Sequence, residues 1–327
     1  MLFGLRFDLR NPAFAGVSAG ERLRAALDMC EWADQRGALA LTVSEHHGSE
    51  DGYLPSPMVM AAAIGARTSS AMVSVAALIA PFHDPIRLAE DVAVADLACG
   101  GRLALIIAGG YLPHEFEMFD VPMNERPKRV REVVETLKKA STGEPFDYRG
   151  RTVRVTPATT NPGGPIIMLG GTSEGAARRA ARIADGFVPS EPECWEHYRD
   201  ECIQLGKPDP GPCTIKGFGD QLVLAEDVEK AWDELGPYFL YETQAYGTWE
   251  AEAAKAANPG RPATFRAMSS VDEVRESGQY RIVTPDEWAE ELAGQDDPGM
   301  PVFHPMVGGI PPELAWRHLH LFEEAFL

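Results

Sequence analysis

An α/β fold closed as a single (β/α)8 barrel, with insertions in its βα loops, is what the sequence predicts from three observations. Short apolar runs alternate with longer helical patterns about eight times, the rhythm of repeated βα units. Several of the runs have no polar face, as expected of parallel strands covered by helices. The chain has 327 residues, which suits a barrel of ~250 residues carrying insertions better than an open doubly wound sheet. Length alone would also fit two domains of ~150 residues, but no low-complexity tract or charge run marks a linker. Residues 1–327 are therefore read as one domain.

The elements follow in order. Residues 2–7 form a first strand, and residues 19–36 a helix closed by Gly37. Residues 39–43 are a second strand, 58–68 a helix of small residues, and 73–80 a third strand rich in β-branched and small side chains. Asp84 and Pro85 are suited to the N-cap and first position of the next helix. Gly100-Gly101 turns the chain into a fourth strand, 103–108. Val130, Val133, Val134 and Leu137 then share one helical face behind Pro127. Residues 165–169 are a fifth strand, 174–184 a helix, 186–189 a sixth strand and 194–205 a helix. Residues 214–224 read as a seventh strand, and Val228, Ala231, Trp232 and Leu235 share a helical face after it. Residues 300–306 are a last strand and 311–326 a closing helix. Residues 142–162 and 238–280 exceed eight units and are read as insertions near the catalytic face.

Composition narrows the partners. Forty-five per cent hydrophobic and 24% charged residues are ordinary globular proportions. A net charge of −19 repels nucleic acid and anionic bilayers, which sets both aside as main partners. Five scattered cysteines without a CxxC pair fit a reduced, cytoplasmic setting rather than disulfides or zinc. The N-terminal residues lack a signal-peptide pattern, and no apolar run approaches the ~18 residues of a membrane span.

Active sites of such barrels gather in the loops after the strands. Glu45-His46-His47 follows the second strand. Adjacent histidines point in different directions, so at most one faces the barrel mouth, where it can pass a proton near neutral pH; alone, the tripeptide reads rather as a pair of surface or packed histidines. Gly109-Gly110-Tyr111 follows the fourth strand and lets backbone approach a ligand, though a plain tight turn explains it as well. Gly170-Gly171-Thr172-Ser173 opens a helix whose N-terminus suits an anion, or Ser173 is an ordinary cap. Arg126 adds a cation at the fourth unit. No dinucleotide fingerprint, P-loop, HExxH, nucleophile elbow or metal-ligand spacing occurs.

In combination these segments resemble the bacterial luciferase-like monooxygenase superfamily over nearly the whole chain. The densest run comprises Ser44-Glu45-His46-His47-Gly48, Pro55-Ser56-Pro57, His83-Asp84-Pro85-Ile86-Arg87, Gly100-Gly101-Arg102, Gly109-Gly110-Tyr111, Glu115, Phe116, Phe119 and Arg126. Gly170-Gly171-Thr172-Ser173, Val283-Thr284-Pro285-Asp286-Glu287 and Gly308-Gly309-Ile310-Pro311-Pro312 continue it.

The resemblance implies a flavin-dependent monooxygenase that uses reduced FMN and O2 to oxygenate a small organic substrate through a C4a-peroxyflavin. The FMN would be reduced by a separate flavin reductase. The alternatives it leaves are an F420-dependent hydride-transfer oxidoreductase and a non-catalytic flavin-binding subunit. His46 matches the family's acid/base beside the flavin, with Tyr111 lining the pocket. Arg126 and Ser173 match residues that hold the flavin phosphate, and Glu45, Gly109, Gly110, Gly170, Gly171 and Thr172 fall in the cofactor-binding segments. A non-prolyl cis peptide is expected around Ala76-Ala77-Leu78, beneath the ring. Ala108 stands where luciferase α chains carry a second phosphate arginine. The family usually forms dimers through the second and third helices, so a homodimer is expected.

Overall fold

The computed structural model describes residues 1–214, 221–257, 266–296 and 299–327. Its strands are β1 (Gly4–Phe7), β2 (Ala40–Val43), β3 (Met72–Ile79), β4 (Leu103–Ala108), β5 (Phe146–Tyr148), β6 (Arg151–Val153), β7 (Ile166–Gly171), β8 (Gly186–Pro189), β9 (Gln221–Leu224), β10 (Tyr280–Val283) and β11 (Val302–Phe303). Its α-helices are α1 (Ala19–Gln35), α2 (Pro57–Arg67), α3 (Pro85–Ala98), α4 (Pro113–Met118), α5 (Arg126–Ala140), α6 (Glu174–Ile183), α7 (Glu193–Gln204), α8 (Val228–Ala257), α9 (Val271–Glu276), α10 (Pro285–Ala293) and α11 (Pro312–Phe326).

The strands form a curled, seven-stranded parallel sheet in the order β11-β1-β2-β3-β4-β7-β8. β9 instead pairs in parallel with β10 as a separate two-stranded sheet, and lies beside β11 without joining its ladder. One edge of this sheet is β8. β8 is four residues long and ends on Pro189, which has no N–H to offer a further strand. Of the expected strand over 214–224, only Gln221–Leu224 is seen as strand, and 215–220 lie outside the described residues.

Local chemistry explains most elements. Asp84 caps α3 by accepting from the N–H groups of Ile86 and Arg87, both at 3.0 Å, with Pro85 at the first position. Ser18 and Glu21 close a reciprocal capping box on α1. The stretch 142–162, expected as an insertion, contains the hairpin β5–β6, turned by Arg149 and Gly150, both at positive φ (53° and 74°) as a two-residue hairpin turn requires. The other stretch expected as an insertion, 238–280, is helical at its start and opens a strand at its end. Its first part continues α8, because Ala231, Leu235, Phe239, Tyr246, Trp249 and Ala253 keep one buried helical face beyond Pro237. Its last residue opens β10, where Tyr280 and Ile282 are buried and Arg281 and Val283 are half-buried.

Below the sheet's N-terminal edges, Phe3 packs on Trp32, Phe303 and Phe322 with ring centroids 6.1, 6.5 and 5.0 Å apart. The five cysteines are free thiols. Among the described residues, no helix is long and apolar enough to cross a membrane.

Candidate functional site

The loops after β4 and β7 meet in one cleft of about 510 Å3. Gly109, Gly110, Tyr111, Arg126, Gly170, Gly171, Thr172 and Ser173, all singled out in the sequence, line it together. Two of the glycines have no substitute. Gly110 sits at φ +70°, where a Cβ would meet Ile79 Cγ2 at 2.9 Å, and a Cβ on Gly171 would meet that of Ala176 at 2.5 Å. Arg126 is aimed by two carbonyl oxygens: its Nε donates to Met123 O at 2.9 Å and its Nη1 to Gly110 O at 3.0 Å. Ser173 caps α6, accepting from Ala176 N–H at 3.3 Å, so the N-terminus of α6 opens into the cleft. Both roles foreseen for Ser173 are therefore available at once.

The sheet beside this cleft carries a half-buried apolar row. Ala76, Ile106, Met168 and Gly186 are neighbours across β3, β4, β7 and β8, with Ala108, Gly170 and Val188 in the next row. The residues between them, Leu105, Ile107, Ile167, Leu169 and Phe187, are buried on the opposite face. A half-buried apolar row in the middle of a sheet is a floor without a filled core above it, and a flat ring fits such a floor. The Ala76–Ala77 peptide, part of this row, is cis.

His46 stands beside Tyr111, with the two rings edge-to-face and 5.9 Å apart. Its Nδ1 is 2.9 Å from Glu115 Oε1, which also accepts from His47 N–H at 2.8 Å. A buried carboxylate there selects the Nδ1–H tautomer, which leaves Nε2 to exchange a proton. Glu115 is wholly buried. His47 turns the other way, toward Glu45 at 2.9 Å. Glu45 also accepts from Ile79 N–H at 2.6 Å and meets His83 Nε2 at 3.0 Å. Burial by itself would raise the pKa of Glu45; the hydrogen bonds from His47, His83 and Ile79 outweigh it and hold the value at about 2. Glu45 thus ties the β2 loop to the end of β3 and to the turn before α3. Burial pushes the Tyr111 hydroxyl well above its usual range, so it stays protonated.

Several site residues gave no sequence signal. Tyr246 and Trp249 come from α8 and, with Tyr53, surround His46; Trp249 is nearest at 4.5 Å. Arg10 stacks on the same three rings at 4.3–4.9 Å and bonds Asp51 at 2.5 Å. It follows Leu9, which holds a left-handed φ of 60° just after β1, and only the fold reveals that turn. Asp8, Glu242 and His304 also converge, their ligand-type atoms all within 4.8 Å of one another. They lie 234 and 62 residues apart, so no ligand spacing could show them. Arg10 already provides a cation beside Asp8. Burial opposes ionisation of Asp8, but His304 and Arg10 hold its pKa at about 2, whereas burial pushes Glu242 up.

Residues 7–300 match the family described as luciferase-like monooxygenase. The oxygenase component of a flavin-dependent trigonelline monooxygenase from Acinetobacter baylyi is 29% identical over 126 residues, 38% of this chain and 35% of that protein. An F420-dependent glucose-6-phosphate dehydrogenase from Nocardia farcinica is 28% identical over 302 residues, 86% of this chain and 88% of that one. Two uncharacterised relatives, from Sinorhizobium fredii and Mycobacterium bovis, are matched over 48% and 46% of their length. Among solved structures, the monooxygenase RslO1 from Streptomyces bottropensis superposes with a TM-score of 0.72 at 25% identity, covering 100% of this chain and 98% of its own. The oxygenating constituent of 3,6-diketocamphane monooxygenase from Pseudomonas putida, solved with FMN, gives 0.72 at 19% identity, covering 98% and 96%. With this family match over most of its sequence, the chain belongs to the luciferase-like monooxygenase family.

Proposed function

We propose that this protein is a flavin-dependent monooxygenase that takes reduced FMN from a separate flavin reductase and oxygenates a small organic substrate. The observation that carries this reading is the cleft between the ends of β4 and β7. One end offers Arg126 and the N-terminus of α6, and the flank offers the flat row Ala76, Ile106 and Met168. Its volume of about 510 Å3 lies within the ~300–1,000 Å3 of small-molecule sites. The residues fit the cofactor: Arg126 and the N-terminus of α6 would hold a phosphate, the row Ala76, Ile106 and Met168 would take a flat ring, and Gly110 and Gly171 leave room for backbone to approach it. FMN bound there in reduced form supplies two electrons, enough for one atom of O2 to enter the substrate and the other to leave as water. Tyr111 shields the inner end of the cleft, and His46, fixed on Glu115, holds or delivers a proton at Nε2. Closure of the curled sheet into a complete barrel around this site belongs to the same proposal.

The test is a pair of titrations followed by oxygen transfer. FMN should bind more tightly than F420, and substrate turnover under 18O2 should place one labelled atom in the product. Tighter binding of F420 with hydride transfer and no label would replace this reading by the F420-dependent one, which the 28% identity over 302 residues supports. Flavin binding without turnover would leave a binding subunit.

We also infer a homodimer through α2 and α3, whose Val59, Val94 and Leu97 stand 73%, 54% and 45% exposed. Sedimentation at micromolar concentration should give twice the 35.6 kDa chain mass, and Val59→Glu should halve it. A monomeric wild type contradicts this.

A further inference from the structure

We propose that Arg179 is the second cation of the phosphate end of the cleft, closing with Arg126 on a phosphomonoester. This rests on the flavin reading above and adds a residue to it. Arg179 lies in the second turn of α6 and lines the same cleft as Arg126, Gly171 and Ser173. A phosphomonoester carries nearly two negative charges at neutral pH, so one guanidinium and one helix terminus leave it partly uncompensated. The β4 wall adds no charge, since Ala108 presents only a methyl group about 4.0 Å from where a Gly170 Cβ would stand.

Three features separate Arg179 from an ordinary surface cation. It is half-buried, yet among the described residues it makes no ion pair, hydrogen bond or ring contact. Its neighbour on α6, Arg178, is by contrast shared between Glu174 and Glu201 at 2.7 and 3.1 Å. The charged group with the strongest effect on Arg179 is another cation, Arg131 of α5, and burial together with that repulsion pulls its pKa down. A half-buried guanidinium held beside a like charge without a carboxylate is unfavourable until an anion arrives. The carboxylate facing the cleft, Glu250, comes from α8, in the cleft wall that also holds Ala253 and Ala254, and acts on Tyr111. The charge of the cleft is thus divided: cations where the loop after β7 enters α6, an acid toward Tyr111.

The discriminating experiment compares FMN with riboflavin, which has the ring but no phosphate, on wild type, Arg179→Gln and Arg179→Lys. Arg179→Gln should weaken FMN about 10–100-fold, the scale of a charge-assisted hydrogen bond, and leave riboflavin within twofold. Arg179→Lys should recover part of the loss, and the wild-type affinity for FMN should fall more steeply with salt than that of Arg179→Gln. FMN affinity unchanged in Arg179→Gln, or an equal loss for riboflavin, overturns the assignment. If wild type binds neither flavin, the functional reading fails on its own. Line broadening of inorganic phosphate by 31P NMR then reads the clamp: broadening lost in Arg179→Gln supports it, and none in wild type overturns it.

Discussion

Replacing His46 by glutamine should lower substrate-stimulated oxygen uptake by about 10²–10⁴-fold, the usual contribution of a positioned acid/base. FMN affinity should move by less than about threefold, because the groups available to its phosphate are Arg126 and the N-terminus of α6 rather than His46. The geometry makes a second variant informative. Glu115 orients His46 through Nδ1 at 2.9 Å and also holds the His47 N–H. Glu115→Gln keeps a hydrogen-bond acceptor but removes the charge, so it should retain the fold, lose less activity than His46→Gln, and displace the pH profile of turnover. Unchanged turnover in His46→Gln at an intact circular dichroism spectrum would remove the proton-handling role.

The largest effect on stability should come from Glu45. Three donors converge on this buried carboxylate from the β2 loop, the end of β3 and the turn before α3. Glu45→Ala leaves the Ile79 N–H, His47 and His83 without it and should cost about 3–5 kcal/mol, as loss of a buried ionic partner typically does. The same carboxylate gives a pH signature. Its pKa is depressed from 4.5 in the unfolded chain to about 2 in the folded one. The stabilisation is therefore complete above pH 4.5 and lost as pH falls toward 2, amounting to on the order of 3 kcal/mol. Denaturant unfolding between pH 5 and 2.5 should show the wild type losing more stability than Glu45→Gln over that window. Parallel curves for the two proteins would mean that Glu45 is not the ion its hydrogen bonds imply.

What could be read from the sequence was local. Asp84-Pro85 announced a helix start because capping needs only neighbouring residues. The valine periodicity of α5 and the glycine turns after β4 and β7 were legible for the same reason, and they brought Arg126, Gly109, Gly170 and Ser173 to one cleft. What escaped depended on pairings across the chain. β10 is a four-residue strand whose partner β9 lies some sixty positions earlier, and Tyr280-Arg281-Ile282 has too short an alternation to stand out. α8 hid its length behind Pro237 and its aromatic residues, and with it went Tyr246 and Trp249, the walls around His46. Arg10 and Glu115 became site residues only when β1 and α4 were set beside the β2 loop. Arg178 and Arg179 are alike in sequence, and only the fold gives Arg178 the carboxylates of Glu174 and Glu201 while leaving Arg179 without one among the described residues.

The most direct measurement of the central claim is a crystal structure of the protein soaked with FMN. It should show the phosphate between Arg126, Arg179 and the N-terminus of α6, with the ring lying along Ala76, Ile106 and Met168 toward Tyr111. FMN bound elsewhere, or a ring pointing away from that row with its phosphate free of Arg126, would contradict it.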